Sequence, residues 1–151
     1  MRSMNTSAMM SIPPLPSQQR SELIHRLLPH RATSGVVADI LVDTDVFIDH
    51  LRGASELRPG RHRLHYSVIT RAELFAGNTA TDLSAQLLAP FREFPVDRLI
   101  AERAGRVARE FGVRLPDALI AATALEHGLM LSTRNTKDFG RVRGLHLRSL
   151  T

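Results

Sequence analysis

The sequence contains no cysteine among its 151 residues, which excludes a disulfide framework and any metal site built on thiolates. It also lacks an apolar run near the roughly 20 residues that a membrane-spanning helix needs. Three prolines, Pro13, Pro14 and Pro16, closely follow the first apolar residues, so the apolar core of a signal peptide is missing. These absences predict a soluble, cytoplasmic protein without a membrane segment.

Lysine is nearly absent too, because Lys137 is the one lysine among 20 basic residues and the others are arginine. With 15 acidic residues, the formal net charge is +5 at pH 7. Arginine binds phosphate and carboxylate groups through two parallel hydrogen bonds, whereas lysine acts as a point charge. The charge balance suits a nucleic-acid partner, although scattered arginines are also typical of an ordinary solvated surface.

The first 35 residues differ in composition from the rest of the chain. Residues 1–20 are rich in Ser, Met and Pro and show little hydrophobic periodicity, a composition typical of disorder. A short amphipathic helix is predicted from Ser21 and is ended by Pro29. We therefore divide the chain into a disordered or weakly helical N-terminal extension, residues 1–35, and one folded domain, residues 36–151. A start codon assigned too far upstream would give the same pattern.

The segment from Ile40 to Asp49 combines a strand and a helix. Ile40, Leu41 and Val42 are consecutive large aliphatic residues, as in a parallel strand that is covered on both faces. The residues that follow have the spacing of an amphipathic helix. Asp43 therefore lies where a strand ends and a helix begins. In an open α/β sheet, that edge is where ligands bind.

Three further acids occupy comparable positions. Glu73 follows the second predicted strand, although Thr70, three residues before it, would also allow a capping box. Asp117 opens the most apolar helix of the chain, where a carboxylate is also favourable to the helix dipole. Asp138 follows a later predicted strand and could equally start a short helical turn. Each acid thus has a functional and a purely structural interpretation.

Strands and helices alternate along the chain, which predicts an α/β fold with a mostly parallel sheet. Strands are predicted at residues 40–42, 64–69, 129–132 and 145–147, and helices at 82–91, 99–111 and 118–125. Right-handed crossovers bring every strand-to-helix junction to one edge, so the four acids would meet there. Acids so placed repel one another unless cations neutralise them, and Mg²⁺ or Mn²⁺ takes oxygen ligands. The pattern suggests a phosphoryl-transfer or nuclease site that works through bound metal.

Four sequence motifs, in this order and spacing, resemble the PIN-domain ribonucleases, and among them the VapC toxins of toxin–antitoxin modules. The motifs lie at residues 42–49, 67–77, 116–124 and 133–139. The resemblance implies a PIN-like three-layer α/β/α sandwich with a mostly parallel central sheet. It also implies a Mg²⁺- or Mn²⁺-dependent endoribonuclease that cleaves RNA, a cognate VapB-type antitoxin and a homodimer.

By this resemblance, Asp43, Glu73 and Asp117 match the first three family acids, and Asp138 is the choice for the fourth. All four would be metal ligands and catalytic residues. Asn135 stands where many relatives carry an acid, so Thr133 and Asn135 are expected to act as supporting hydrogen-bonding residues. Asp45 and Asp49 do not match the family set and are expected to lie behind the ligands or on the surface.

Two alternatives stay open at the level of sequence. Asp43-Thr44-Asp45 also resembles the start of haloacid-dehalogenase-type phosphatases, which use an aspartyl nucleophile, and a PIN-like module could bind RNA or antitoxin without cutting. Several basic residues lie in or near loops that could face a substrate and are candidate phosphate contacts: Arg52, Arg61, Arg63, Arg134 and Lys137.

Overall fold

The computed structural model describes residues 16–27 and 35–151. The elements in these ranges are α1 (Ser17–His25), β1 (Asp39–Val42), α2 (Thr44–Arg52), β2 (Arg63–Ser67), α3 (Val68–Ala76), α4 (Thr81–Leu88), β3 (Arg92–Phe94), α5 (Arg98–Phe111), α6 (Leu115–His127), β4 (Met130–Ser132) and α7 (Thr136–Phe139). Much of the predicted N-terminal extension, residues 1–15 and 28–34, lies outside the described residues. The prolines at 13, 14 and 29 are among those residues.

The four strands form one sheet in the order β3-β2-β1-β4, and every pair in it is parallel. Leu41 in β1 pairs with His65 on one side and with Leu131 on the other. Parallel strands need crossover connections, and the helices between successive strands supply them. The predicted α/β fold with a parallel sheet is confirmed.

Helices cover both faces of the sheet. Alternate residues of each strand point to opposite faces, so β1 contributes to two apolar clusters. Ile40 and Val42 pack in one apolar cluster with Phe47 of α2. Leu41 packs in a second cluster with Ile120 of α6. All of these side chains are buried. The fold is thus a three-layer sandwich, as predicted, and β1 is buried on both faces.

Two predicted strands differ from the observed ones. The strand predicted at 64–69 ends at Ser67, because the Ser67 hydroxyl accepts a hydrogen bond from the Ile69 amide at 3.1 Å and caps α3. The strand predicted at 145–147 is reduced to a single parallel bridge between Leu131 and Leu147. Two backbone hydrogen bonds of 2.9 Å hold that bridge, one from the amide of Leu131 and one to its carbonyl.

Helix α1 lies within the predicted extension and contacts the domain. The carbonyl oxygen of Leu23 lies 3.3 Å from Nε2 of His50 in α2. Leu27, just after the helix, is fully buried in the same cluster as Ile40. The domain boundary at residue 36 stays a prediction, and the packing of Leu27 gives it a direct test.

Among residues 16–27 and 35–151, no helix is both long enough and apolar enough to cross a membrane.

Candidate active site

Asp43 is held at the carboxyl end of β1 by hydrogen bonds from two directions. Its Oδ1 accepts from the Thr44 amide at 2.8 Å, and its Oδ2 accepts from the Thr133 hydroxyl at 2.7 Å. The residue has extended backbone at the N-cap of α2 and is 5% exposed. The two hydrogen bonds therefore fix the orientation of the carboxylate.

The electrostatic environment of Asp43 disfavours its charge. Burial, followed by the nearby charge of Asp45, raises the pKa of Asp43 to about 8, and the charge of Asp117 adds to the rise. The hydrogen bonds from Thr133 and Thr44 act in the opposite direction but do not compensate. A carboxylate of this kind gains stability from a cation beside it.

Glu73 points to the same edge from α3. The Thr44 hydroxyl donates to Oε1 of Glu73 at 2.9 Å and also lies 3.0 Å from the hydroxyl of the buried Thr70. Burial, and then the charge of Asp117, raise the pKa of Glu73. Because Ser67 is the N-cap of α3, Glu73 is not the partner of a Thr70 cap, and the capping-box interpretation is wrong.

Asp117 lies in the first turn of α6, after Pro116. Burial raises its pKa, the charges of Asp138 and Asp45 raise it further, and Arg114 at the helix N-cap opposes the rise. The position still serves the helix dipole. It also places the carboxylate where Asp43 and Glu73 feel its charge.

Asp138 differs from the other three predicted site residues. Its Oδ2 accepts from the Asn135 side-chain amide at 3.0 Å, and its Oδ1 forms an ion pair with Arg141 at 3.0 Å. These contacts, that of Asn135 foremost, lower the pKa of Asp138. Asp138 therefore stays ionised and turned towards its own helix, while its charge reaches Asp117.

Asp45 is closer to the cluster than the sequence analysis expected. Its charge raises the pKa of Asp43, of Glu73 and of Asp117. Its Oδ1 accepts from the Arg134 amide at 3.3 Å. The sequence contains a signal for this proximity. Asp45 follows Asp43 by two residues at a helix start, so its carboxylate lies in the first turn of α2.

The candidate phosphate contacts lie at opposite ends of the strands, some at the carboxyl ends and others at the amino ends. Arg134 and Lys137 follow β4 at the same edge as Asp43, and Arg134 forms an ion pair of 2.7 Å with the buried Asp49. Arg61 and Arg63, in contrast, lie at the start of β2, at the opposite edge from the acids. Their expected contact with a substrate at the acidic site is not supported by this placement.

The donor chemistry of the acidic edge fits a hard divalent cation. Asp43, Glu73 and Asp117 supply carboxylate oxygens, which Mg²⁺ and Mn²⁺ prefer, and the pKa of each is raised first by burial and then by neighbouring carboxylates. As the side chains stand, no three Asp, Glu or His residues of the described ranges converge on a single metal position. The site therefore offers the oxygen donors that a divalent cation needs, but these donors do not surround a single ion position.

A parallel sheet with clustered acids at the carboxyl ends of its strands defines an α/β protein that binds its ligand at that edge, and comparison with known proteins names the family. The PIN domain family model matches residues 40–145. The chain therefore belongs to the PIN domain family, as the sequence motifs indicated.

Relatives agree with this assignment. Ribonuclease VapC10 of Mycobacterium tuberculosis is 39% identical over 113 residues, which cover 66% of this chain and 85% of that protein. Ribonuclease VapC19 of the same organism is 34% identical over 115 residues, or 90% of its length. The family assignment leaves the haloacid-dehalogenase alternative without support.

Solved structures agree as well. A toxin–antitoxin complex from Klebsiella pneumoniae has a chain with 33% identity and a TM-score of 0.57, and the match covers 70% of this chain and 94% of that one. VapBC-5 from Mycobacterium tuberculosis, a member of the VapBC family of toxin–antitoxin systems, has 29% identity and a TM-score of 0.52 over 75% of this chain and 98% of its own.

Proposed function

We propose that this protein is a divalent-metal-dependent endoribonuclease and the toxin of a type II toxin–antitoxin system. The observation that carries the proposal is the buried Asp43, whose charge is disfavoured by burial and by its acidic neighbours at the ligand-binding edge of a PIN fold. The homologous VapC ribonucleases supply the reaction class. The substrate is RNA, and the reaction is hydrolysis of its phosphodiester bond.

Asp43, Glu73 and Asp117 would hold the ion, with Asp138 completing the cluster. A bound Mg²⁺ or Mn²⁺ lowers the pKa of a water molecule and offsets charge on the phosphate oxygens. Thr133 donates to one oxygen of Asp43, and Thr44 donates to one oxygen of Glu73, so each carboxylate keeps oxygen lone pairs for the ion. Asn135 holds Asp138 in the same way.

The substrate phosphate must meet positive charge as well, because it approaches an acidic edge. Arg114 caps α6 beside Asp117 and is exposed. Its charge stabilises the ionised forms of Glu73 and Asp117. We assign it the role of binding a phosphate oxygen next to the cluster, where a guanidinium forms strong charge-assisted hydrogen bonds.

In hydrolysis the water oxygen forms a bond to phosphorus, and the bond between phosphorus and the ribose oxygen breaks. The ribose oxygen then takes up a proton.

The partners follow from the same proposal. The VapBC-5 structure and the Klebsiella complex are both toxin–antitoxin systems, and we expect a VapB-type antitoxin for this chain. We expect that antitoxin to place an arginine or lysine against Asp43, Glu73 and Asp117, because a fixed cation neutralises the cluster without metal. A homodimer and a cytoplasmic location complete the proposal.

Chelation of metal tests the catalytic proposal. The purified protein should cleave single-stranded RNA with Mg²⁺ or Mn²⁺, lose that activity in EDTA and regain it when excess Mn²⁺ is added. The variant Asp43→Asn should be inactive under all three conditions yet remain folded. RNA binding without cleavage under every metal condition would instead support a non-catalytic RNA-binding module.

A further inference from the structure

A second cleft lies at the amino ends of the strands, on the side of the sheet away from Asp43. Its volume is about 580 Å³. Its lining includes Asp39, Arg63, His65, Arg92, Phe94 and His127. Asp39, Arg63 and Arg92 are the first residues of β1, β2 and β3, and the parallel register pairs Asp39 with Arg63 and Arg92 with His65. The family acids take no part in this cleft.

Flat side chains form one wall of the cleft. The rings of Phe94 and His127 lie with centroids 4.1 Å apart and an angle of 36° between their planes. The guanidinium carbon of Arg92 lies 4.7 Å from the centre of the Phe94 ring. Phe94 is 5% exposed, whereas His127 and Arg92 are exposed. An exposed imidazole and guanidinium braced by a buried ring are surfaces on which a nucleobase stacks.

Positive charge predominates at the cleft. Asp39 accepts two hydrogen bonds from Arg63, at 2.8 and 2.7 Å, and lies 2.9 Å from Nε2 of His65. The Arg63 and His65 contacts hold the pKa of Asp39 at about 2, so this one carboxylate is ionised and already engaged. Arg92 forms no ion pair within the part of the chain that the structure describes. Its guanidinium lies over the Phe94 ring.

The positive surface continues beyond the cleft. A neighbouring groove of about 250 Å³ shares Arg63 and Arg92 with it and adds Arg61. Together, the two are lined by three arginines and one carboxylate. In addition, Nδ1 of His65 is buried and has no hydrogen-bond partner among the described residues. A stacking surface beside the guanidinium of Arg92 is what a polyanion with flat bases requires.

We propose that this cleft binds RNA away from the site of cleavage, with a backbone phosphate on Arg92 and a base stacked on His127. This inference rests on the proposed RNA substrate. Strands of four or five residues, at about 3.3 Å per residue, separate the two sheet edges by about 15 Å. One RNA molecule can therefore contact both edges, and the cleft would contribute to substrate affinity and selection but not to the chemical step. An acidic peptide would be attracted by the same positive charge, but it has no nucleobase that could stack on the wall of the cleft.

The test measures RNA binding by the full chain without metal, so that no cleavage occurs. Binding of a fluorescein-labelled single-stranded RNA is followed by anisotropy in EDTA over a series of salt concentrations. Arg92→Gln should weaken binding about threefold to tenfold and should lower the slope of log K against log salt by about 0.7, the value for one phosphate contact on a single strand. His127→Ala should weaken binding about tenfold, as loss of one stacked base does, with the slope unchanged.

Arg106→Gln is the matched control, since Arg106 is an exposed arginine of α5 outside the cleft lining. It should leave both the affinity and the slope within error of the parent, and melting temperatures should show that all variants fold. An Arg92→Gln variant that binds like Arg106→Gln would overturn the proposal, as would a parent that binds no RNA in EDTA. Metal-dependent cleavage by the parent is measured separately, so failure of the cleft would leave the proposed nuclease function standing.

Discussion

The Thr133 hydroxyl donates to Oδ2 of Asp43 at 2.7 Å and so ties the end of β4 to the end of β1 across 90 positions of the chain. This bond favours the ionised form of a carboxylate that burial and its neighbours disfavour. The neutral hydroxyl of Thr133 therefore favours the ionised form of Asp43, which is the form that binds a cation.

Thr133→Val should lower divalent-metal affinity and RNA cleavage by about tenfold or more, as the loss of a hydrogen bond to a metal ligand generally does. The valine keeps the branched shape but cannot donate, so the pKa of Asp43 rises further. Isothermal titration with Mn²⁺ and a cleavage assay measure the two effects. Thr133→Ser retains the donor and should behave like the parent; a serine variant as impaired as the valine variant would contradict the role of the bond.

Asp117→Asn separates the metal-ligand role of Asp117 from its role at the start of a helix. As a change in the first turn of α6 it should cost no more than about 1 kcal/mol. As the loss of a ligand it should reduce Mn²⁺ affinity and cleavage by orders of magnitude while the protein stays folded. Because it relieves repulsion with Asp43 and Glu73, the metal-free variant should melt at or above the parent temperature.

The measurements are melting temperature with and without Mn²⁺, together with RNA cleavage. The parent should be stabilised by Mn²⁺, because an ion that binds only the folded state raises the melting temperature, whereas Asp117→Asn should gain little. A variant that cuts RNA as fast as the parent would refute the assignment of Asp117.

Ser67→Ala should destabilise the protein by about 1 kcal/mol, the usual cost of losing a helix N-cap, because Ser67 accepts from the Ile69 amide. Glu73→Gln should cause no comparable loss, since Glu73 caps nothing and relief of its raised pKa favours the neutral amide. Urea unfolding in EDTA compares the two variants. A larger loss in Glu73→Gln than in Ser67→Ala would restore the capping role for Glu73.

The stability that depends on His50 should be lost as the pH drops below about 6.5, whereas the raised pKa of Asp43 acts in the opposite direction. Burial lowers the pKa of this histidine, the Leu23 carbonyl and Glu56 oppose the shift, and Arg26 adds to it. Its Nδ1 also accepts from the Leu57 amide at 3.2 Å, which requires the neutral ring. At this group the unfolded chain then binds more protons than the folded one below the unfolded pKa, so its contribution to the free energy of unfolding decreases as pH falls.

Unfolding at pH 7.5 and at pH 5.0 measures this dependence. His50→Gln should lack the His50 contribution, so its free energy of unfolding relative to the parent should rise between pH 7.5 and pH 5.0, whereas that of His146→Gln, changed at an exposed position, should not. An unchanged difference in His50→Gln would exclude His50 as a source of the pH dependence.

Truncation of the chain tests where the domain begins. Removal of residues 1–15 should leave the melting temperature near that of the full chain, but removal of residues 1–34 should lower it. The second deletion removes Leu27, whose side chain is fully buried, and burial of a leucine contributes about 1.5–3 kcal/mol. Leu27→Ala in the full chain should reproduce most of the loss. Equal melting temperatures for all forms would support the boundary at residue 36.

Local pattern was sufficient to predict the fold class. The aliphatic run of β1 and the alternation of strands and helices predicted a mostly parallel sheet, because burial on both faces leaves a continuous apolar strand, and the resemblance to the PIN family added the three-layer sandwich. The order of the acidic motifs was likewise sufficient to indicate the PIN family. One error lay at an element end, at Ser67, where one side-chain hydrogen bond decides between strand and helix. Two others concerned whole strands, since β3 was not predicted and the strand predicted at 145–147 is a single bridge.

The chain by itself determined which acids stand at strand-to-helix junctions, since that depends on residues adjacent in sequence. Only the tertiary structure decided how they differ. Asp43 is buried, accepts a hydrogen bond from Thr133 across 90 positions and is affected by the charge of Asp117, and these relations exist only after distant segments have packed together. Asp138, in contrast, is bound by Asn135 and Arg141, each three positions away. The arginines show the same limit: Arg63 and Arg134 look alike in a list of basic loop residues, but the direction of the parallel strands places them at opposite edges of the sheet.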